Sequence, residues 1–228
     1  MTFVFPPLDP IGLEIAGSAQ RFPVARAFCI GRNYADHAIE MGGNPDREEP
    51  FFFSKPATAI IPGGGAIPYP SATENLHHEV ELVVALGTGG RDIATSDAPG
   101  HVFGYAVGID LTRRDLQDVA KKAGRPWDMA KGFDASGPVG TLVPVAQSGH
   151  VEDAAIALTV NGETRQSGNV NQMIWKTAEA IAYLSGLVEL RAGDLIFTGT
   201  PAGVGAVGRS DVLRAEVAGI PAMTCTIG

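Results

Sequence analysis

The chain has 228 residues, 29 of them glycine and 16 proline, which suits one sizeable, turn-rich domain or one domain behind a short leader. A formal net charge of −8, with no basic block for phosphate contacts, excludes a nucleic-acid partner. No apolar run reaches the roughly eighteen residues of a membrane-spanning helix, so a membrane partner is not expected.

Residues 1–25 are proline-rich and predict an arm or short hairpin ahead of a domain over 26–228. The opening Met1 to Pro7 lacks the basic start and long apolar core of a secretory signal, so a cytoplasmic protein is expected. The widely separated Cys29 and Cys225 both sit in apolar, strand-like surroundings, as buried free thiols of a reducing compartment do. A first strand is predicted at 27–30, running through Gly31-Arg32-Asn33-Tyr34 into a short helix at 35–41. The polar, glycine- and proline-bearing stretch 42–50 predicts a mobile segment, and 35–49 a lid that closes on ligand. Phe51-Phe52-Phe53 returns to strand, and a loop-rich passage with Lys55-Pro56 and Pro62-Gly63-Gly64-Gly65 follows.

Residues 77–84, His-His-Glu-Val-Glu-Leu-Val-Val, read as one strand. Side chains two apart share a face, so Glu79 and Glu81 lie on one side and Val80 and Leu82 on the other. Two carboxylates on a partly buried face repel unless something positive sits between them. A second strand, 103–110, ends on Asp110. Three carboxylates with no nearby cysteine pair suggest Mg²⁺, Mn²⁺ or Ca²⁺ rather than zinc. On its own an E-x-E pair is usually a solvated edge, and Asp110 with the later motifs reverses that reading.

After Asp110 a helix is predicted over 111–123, stopped by Gly124-Arg125-Pro126, and a loop over 131–138. Residues 155–160, Asn161-Gly162 and 163–166 form a hairpin signal. The longest helix is expected over 171–187. A buried strand at 194–198 empties into Gly199-Thr200-Pro201-Ala202-Gly203-Val204-Gly205, and strands at 212–217 and 222–227 end the chain. The sum is an α+β, predominantly β fold with a few helices packed on it.

Five motifs occur in order: Gly31-Arg32-Asn33-Tyr34-Ala35-Asp36-His37-Ala38-Ile39-Glu40; Glu79-Val80-Glu81; Asp110-Leu111-Thr112-Arg113-Arg114-Asp115-Leu116-Gln117 with Lys131-Gly132-Phe133; Gly162-Glu163-Thr164-Arg165-Gln166; and the glycine-rich turn from Thr198. Each is weak alone, and the ordered set resembles the fumarylacetoacetate hydrolase family, most closely its small single-domain acylpyruvate and fumarylpyruvate hydrolases. The resemblance covers about residue 26 to the C-terminus. It implies a mixed β-sandwich roll with flanking helices, a homodimer, and one Mg²⁺ or Mn²⁺ per chain held by Glu79, Glu81 and Asp110.

The resemblance also turns surface-like residues into site candidates. Arg114 and Gln117 share a helix face and, with Lys131, would bind the substrate and offset the negative charge left by three carboxylates around a divalent ion. Arg113, Lys121 and Lys122 read as surface cations and Asp36 as a solvated acid. His37 and Glu40, three apart, permit a hydrogen bond that makes the imidazole a base toward water, with Lys131 completing the catalytic set. His77 and His78 read as structural or supporting groups. Thr200 would meet a substrate carboxylate, and Arg32, Lys55 or the Thr200 turn would receive a distal one.

The function so implied is hydrolysis of the C3–C4 bond of a 2,4-dioxo acid, foremost fumarylpyruvate to fumarate and pyruvate in gentisate-type aromatic catabolism. Oxaloacetate decarboxylation, or a general acylpyruvase, is the alternative through the same site. A non-catalytic 2-oxo-acid binder would need no His37–Glu40 pair.

Overall fold

The computed structural model describes residues 2–42 and 48–228. The centre of the expected lid, 43–47, lies outside the described residues.

Val80–Leu86 is buried at every position and runs through the middle of an eight-stranded sheet. It pairs antiparallel with Val102–Ile109 on one side and Asp194–Phe197 on the other. Beyond Asp194–Phe197 lie Arg26–Ile30, parallel to it, and then Phe52–Lys55. Beyond Val102–Ile109 lie Gly137–Val139 and Ile60–Pro62, with Val143–Pro144 also paired to Val102–Ile109. An almost unbroken apolar run suits a strand covered on both faces.

One face, including Leu82, Val84 and Val107, shares a core with Ile156, Leu158, Leu213 and Ala215. Those residues belong to a second sheet, ordered Glu163–Asn169, Ala155–Val160, Val212–Val217, Ile220–Ile227 and Gly65–Ile67. The opposite face, with Val83, Ala85 and Phe197, packs on Leu13 and Phe22 from the hairpin Gly12–Glu14 and Arg21–Pro23. Full burial of a residue such as Leu82 stabilises by about 1.5–3 kcal/mol. The helices Ala35–Glu40, Arg114–Lys122, Asp128–Lys131, Val145–Ser148 and Thr177–Leu187 complete an α+β, predominantly β architecture, as expected. Among the described residues no helix is long and apolar enough to cross a membrane.

Several expected elements divide differently. The stretch 77–84 is two strands: Leu76–His78 joins a three-stranded sheet with Thr112–Arg113 and Gly205–Val207, and the chain changes sheets at Glu79. The helix expected from 111 starts at Arg114, because Thr112 and Arg113 pair with His77 and Leu76. The loop expected over 131–138 contains the end of helix Asp128–Lys131 and most of strand Gly137–Val139. The long helix begins at Thr177, since Lys176 is extended at ψ 159°, and a separate 3-10 turn, Val170–Gln172, precedes it. Ile60–Pro62 and Gly65–Ile67 are strands because residues far along the chain, Gly137–Val139 and Cys225–Ile227, pair with them in parallel.

Candidate active site

The break at Glu79 places the carboxylates. The last registered pair of the two central strands is Val80 with Ile109, and the Asp110 N–H then donates to the Glu79 carbonyl at 2.8 Å. Glu81 stands across from Gly108, where a Cβ would meet Val83 Cγ2 at 2.6 Å, so a side chain there would crowd the core. Oxygens of Glu79, Glu81 and Asp110 lie within 4.8 Å of one another, and all three residues are buried.

Three buried cations face these three carboxylates. Lys131 Nζ donates to Glu79 Oε2 at 2.7 Å and to Asp110 Oδ2 at 2.6 Å. Arg114 donates to Glu79 Oε1 and Gln117 Oε1, each at 2.5 Å, and through Nε to His77 Nδ1 at 3.3 Å. Lys55 Nζ lies 2.8 Å from Asp110 Oδ1 but donates to Ser136 Oγ at 2.9 Å and to the Lys131 carbonyl. The Lys55–Asp110 contact has ion-pair distance without hydrogen-bond alignment, so Asp110 Oδ1 is buried with no hydrogen-bond partner.

Burial pushes the Glu79 carboxyl up, but Lys131 and Arg114 outweigh it and hold the group well below the usual carboxylate range. Burial drives the Glu81 carboxyl well above that range, reinforced by Asp110 and Glu79, while the Gly199 N–H, 2.7 Å from Oε2, opposes the rise. Three crowded buried carboxylates, an orphaned carboxylate oxygen and an all-oxygen donor set fit a divalent cation of the Mg²⁺ or Mn²⁺ kind.

His37 opens onto the same pocket. Its Nδ1 lies 3.2 Å from Glu40 Oε2, so Nδ1 carries the proton and Nε2 keeps a free lone pair. Burial pushes its pKa down, opposed by Glu79 and Glu40. Glu40 in turn accepts from the Gly203 N–H. Gly203 has φ +96°, and a Cβ there would come within 2.1 Å of the Arg165 carbonyl. Asn33 anchors the entry to the helix: its amide bridges the Thr198 and Trp175 carbonyls at 2.8 and 2.9 Å, and its oxygen accepts from Trp175 N–H.

Thr200 Oγ1 accepts from Gln166 Nε2 at 2.7 Å, leaving the hydroxyl proton to point elsewhere. Fully buried Gln166 also accepts from the Val80 N–H at 3.0 Å and faces His78 Nδ1 at 2.9 Å. Burial and Arg114 lower the His77 pKa to about 4, which fits a neutral ring accepting from Arg114 Nε.

The pocket thus gathers Glu79, Glu81, Asp110, His37, Arg114, Gln117, Lys131, Arg32 and Thr200, with Glu40 behind His37. Two expectations fail. Lys55, a candidate for a distal carboxylate, is sealed beneath Asp110 and absent from the pocket wall. Lys121, expected at the surface, lines the pocket. The structural importance of Asn33 and Gln166 was not anticipated; both lie inside quoted motifs, which was the available signal.

Comparisons with known proteins place the chain in a family. The family profile described as Fumarylacetoacetate (FAA) hydrolase C-terminal matches residues 26–228, and the chain belongs to that family. A fumarylpyruvate hydrolase of Ralstonia sp is 45% identical over 82% of this chain and 98% of its own. The mitochondrial oxaloacetate tautomerase of Rattus norvegicus is 45% identical over 86% of this chain and 88% of its own. The crystal structure of fumarylpyruvate hydrolase from Pseudomonas aeruginosa in complex with Mn²⁺ and pyruvate superposes with a TM-score of 0.97, at 50% identity over 99% of both chains.

Proposed function

We propose that this member of the fumarylacetoacetate hydrolase family cleaves the C3–C4 bond of a 2,4-dioxo acid, with fumarylpyruvate, giving fumarate and pyruvate, as its substrate. The observation that carries the reading is the single pocket in which a buried carboxylate triad lies beside both a His–Glu pair and a set of cations. A mere 2-oxo-acid binder has no use for the His37–Glu40 pair.

In this reading Glu79, Glu81 and Asp110 hold the cation. When bound, it supplies a Lewis acid that polarises the 2-oxo group and stabilises developing negative charge. Arg114 and Gln117 take the carboxylate of the pyruvate half, the guanidinium as a planar fork. Lys131 adds positive charge and holds Glu79 and Asp110 in place. His37 Nε2 takes a proton from water, whose oxygen adds to C4; Glu40 fixes the tautomer that makes this possible. The C4 oxyanion then collapses to the carboxyl of fumarate as the C3–C4 electron pair passes to C3, pyruvate leaves as its enolate, and the proton His37 took from water is returned to C3. The Thr200 hydroxyl, already accepting from Gln166, donates to a substrate oxygen. Arg32 lines the pocket and serves the far carboxylate of fumarylpyruvate.

The Pseudomonas aeruginosa relative supports the substrate, because it was crystallised with Mn²⁺ and pyruvate, one product of this cleavage. A second reading, oxaloacetate chemistry through the same enolate, draws support from the oxaloacetate tautomerase relative. The protein is taken to act as a cytoplasmic homodimer, a state that sedimentation would check; its buried free cysteines suit a reducing compartment. Turnover of fumarylpyruvate, acetylpyruvate and oxaloacetate with Mg²⁺ and with Mn²⁺ separates the readings. Fumarylpyruvate should give the highest kcat/KM. Turnover of oxaloacetate alone would overturn the hydrolase reading.

A further inference from the structure

Helix Arg114–Lys122 carries Arg114, Gln117 and Lys121 along one stripe, three and then four residues apart. Arg114 and Gln117 are buried, and Lys121, one turn further out, is half-buried against the same pocket. Its ammonium lies 5.4 Å from the Trp127 ring centroid. Lys122, the next residue, is exposed, as a surface lysine should be.

Lys121 is in poor company for a cation. Burial, Arg114 and Arg32 all disfavour its charge, against the opposing pull of Asp118 and Glu79. Among the described residues no carboxylate lies within 4.0 Å of Lys121 or Arg32. Arg32 has its own unmet need: Nε is buried without a hydrogen-bond partner among the described residues. It also holds φ +57°, the left-handed region that a side-chain-bearing residue rarely adopts, beside Gly31, where a Cβ would fall 2.0 Å from the Phe51 ring. Backbone held this way often marks a ligand clamp. Two cations in one pocket, without a carboxylate partner among the described residues and each beside an aromatic ring, make a place for an anion.

We propose that Lys121, together with Arg32, forms a distal anion subsite that selects acylpyruvates whose acyl tail ends in a carboxylate. The proposal rests on the hydrolase reading above and deepens it by naming the residue that sets substrate choice. Arg114 and Gln117 read the near end of the substrate from the buried part of the helix. Lys121 reads the far end from its outer turn, so a single helix measures substrate length.

The test compares Lys121→Met, which keeps the stem on Trp127 and removes the charge, with Lys121→Arg, which restores a cation. The readout is the ratio of kcat/KM for fumarylpyruvate to that for acetylpyruvate. Loss of a charged hydrogen bond should lower the ratio about tenfold or more in Lys121→Met, chiefly through KM for fumarylpyruvate. Lys121→Arg should recover most of it. Wild-type turnover of both substrates with an unchanged ratio in Lys121→Met overturns the subsite alone. Wild-type turnover of neither overturns the hydrolase reading, and the subsite with it.

Discussion

The Gly203 backbone N–H donates to both carboxylate oxygens of Glu40, at 3.1 and 3.2 Å. The glycine-rich turn thereby fixes the acid that fixes His37, across 163 residues of sequence. Gly203→Ala cannot keep this arrangement, because the added methyl collides with the Arg165 carbonyl at a φ that favours glycine. The variant should lose activity with its turn displaced. Glu40→Gln, which keeps an acceptor for Gly203 but loses the charge, should retain more. Equal activity of wild type and Gly203→Ala would separate the turn from catalysis.

His37→Ala should slow acylpyruvate hydrolysis about a hundred- to ten-thousand-fold, the usual contribution of a general base. Oxaloacetate decarboxylation, which activates no water, should fall far less. Parallel losses in the two reactions would instead make His37 a residue that positions substrate.

The pH profile follows from the same ring. In the proposed mechanism the neutral imidazole is the active form, and burial lowers its pKa from the ordinary 6.5. Activity should be lost as pH falls through that depressed value, so the acid limb of kcat/KM should lie below 6.5 and vanish from the residual activity of His37→Ala. An acid limb well above 6.5 would show that burial does not govern this group.

Exhaustive EDTA treatment should abolish turnover, and Mn²⁺ or Mg²⁺ should restore it. Mn²⁺ should also raise the melting temperature of the wild type by mass action, and do so less for Glu81→Ala. Full activity after chelation would remove the cation from the reaction.

Lys55→Met should destabilise the protein by less than the about 3–5 kcal/mol typical of a buried charge left without any partner. Asp110, fully buried, keeps Lys131 but loses the ammonium 2.8 Å from Oδ1. Urea unfolding with the midpoint and slope both measured would check this, and a shift within error would mean that Lys131 suffices.

The sequence made some of this legible and hid the rest for identifiable reasons. Glu79 and Glu81 could be paired because period-two geometry survives the change of sheet between them. The His37–Glu40 contact was readable because it is local to one helix. Lys55 and Lys121 were misplaced because nothing near them in sequence tells a buried lysine from a solvated one. Their environments come from Asp110 and Trp127, supplied by other segments. The short strands Ile60–Pro62 and Gly65–Ile67 were hidden likewise: their partners are remote, and their own residues carry a turn signal.

Arg26–Ile30 lies parallel to Asp194–Phe197, which also closes the side of the sheet next to Val80–Leu86. During synthesis the first of these strands waits for a partner made 168 residues later. Until then Val80–Leu86 has an open edge, the kind of surface that recruits strands from other chains. Pairings this distant close slowly, because loop entropy must be overcome before any contact rewards it. The glycine-rich turn that positions Glu40 and Thr200 emerges only after that strand. The pocket is therefore expected to form late, and a chaperone that shields strand edges should raise the yield of active protein, as refolding with and without one would check.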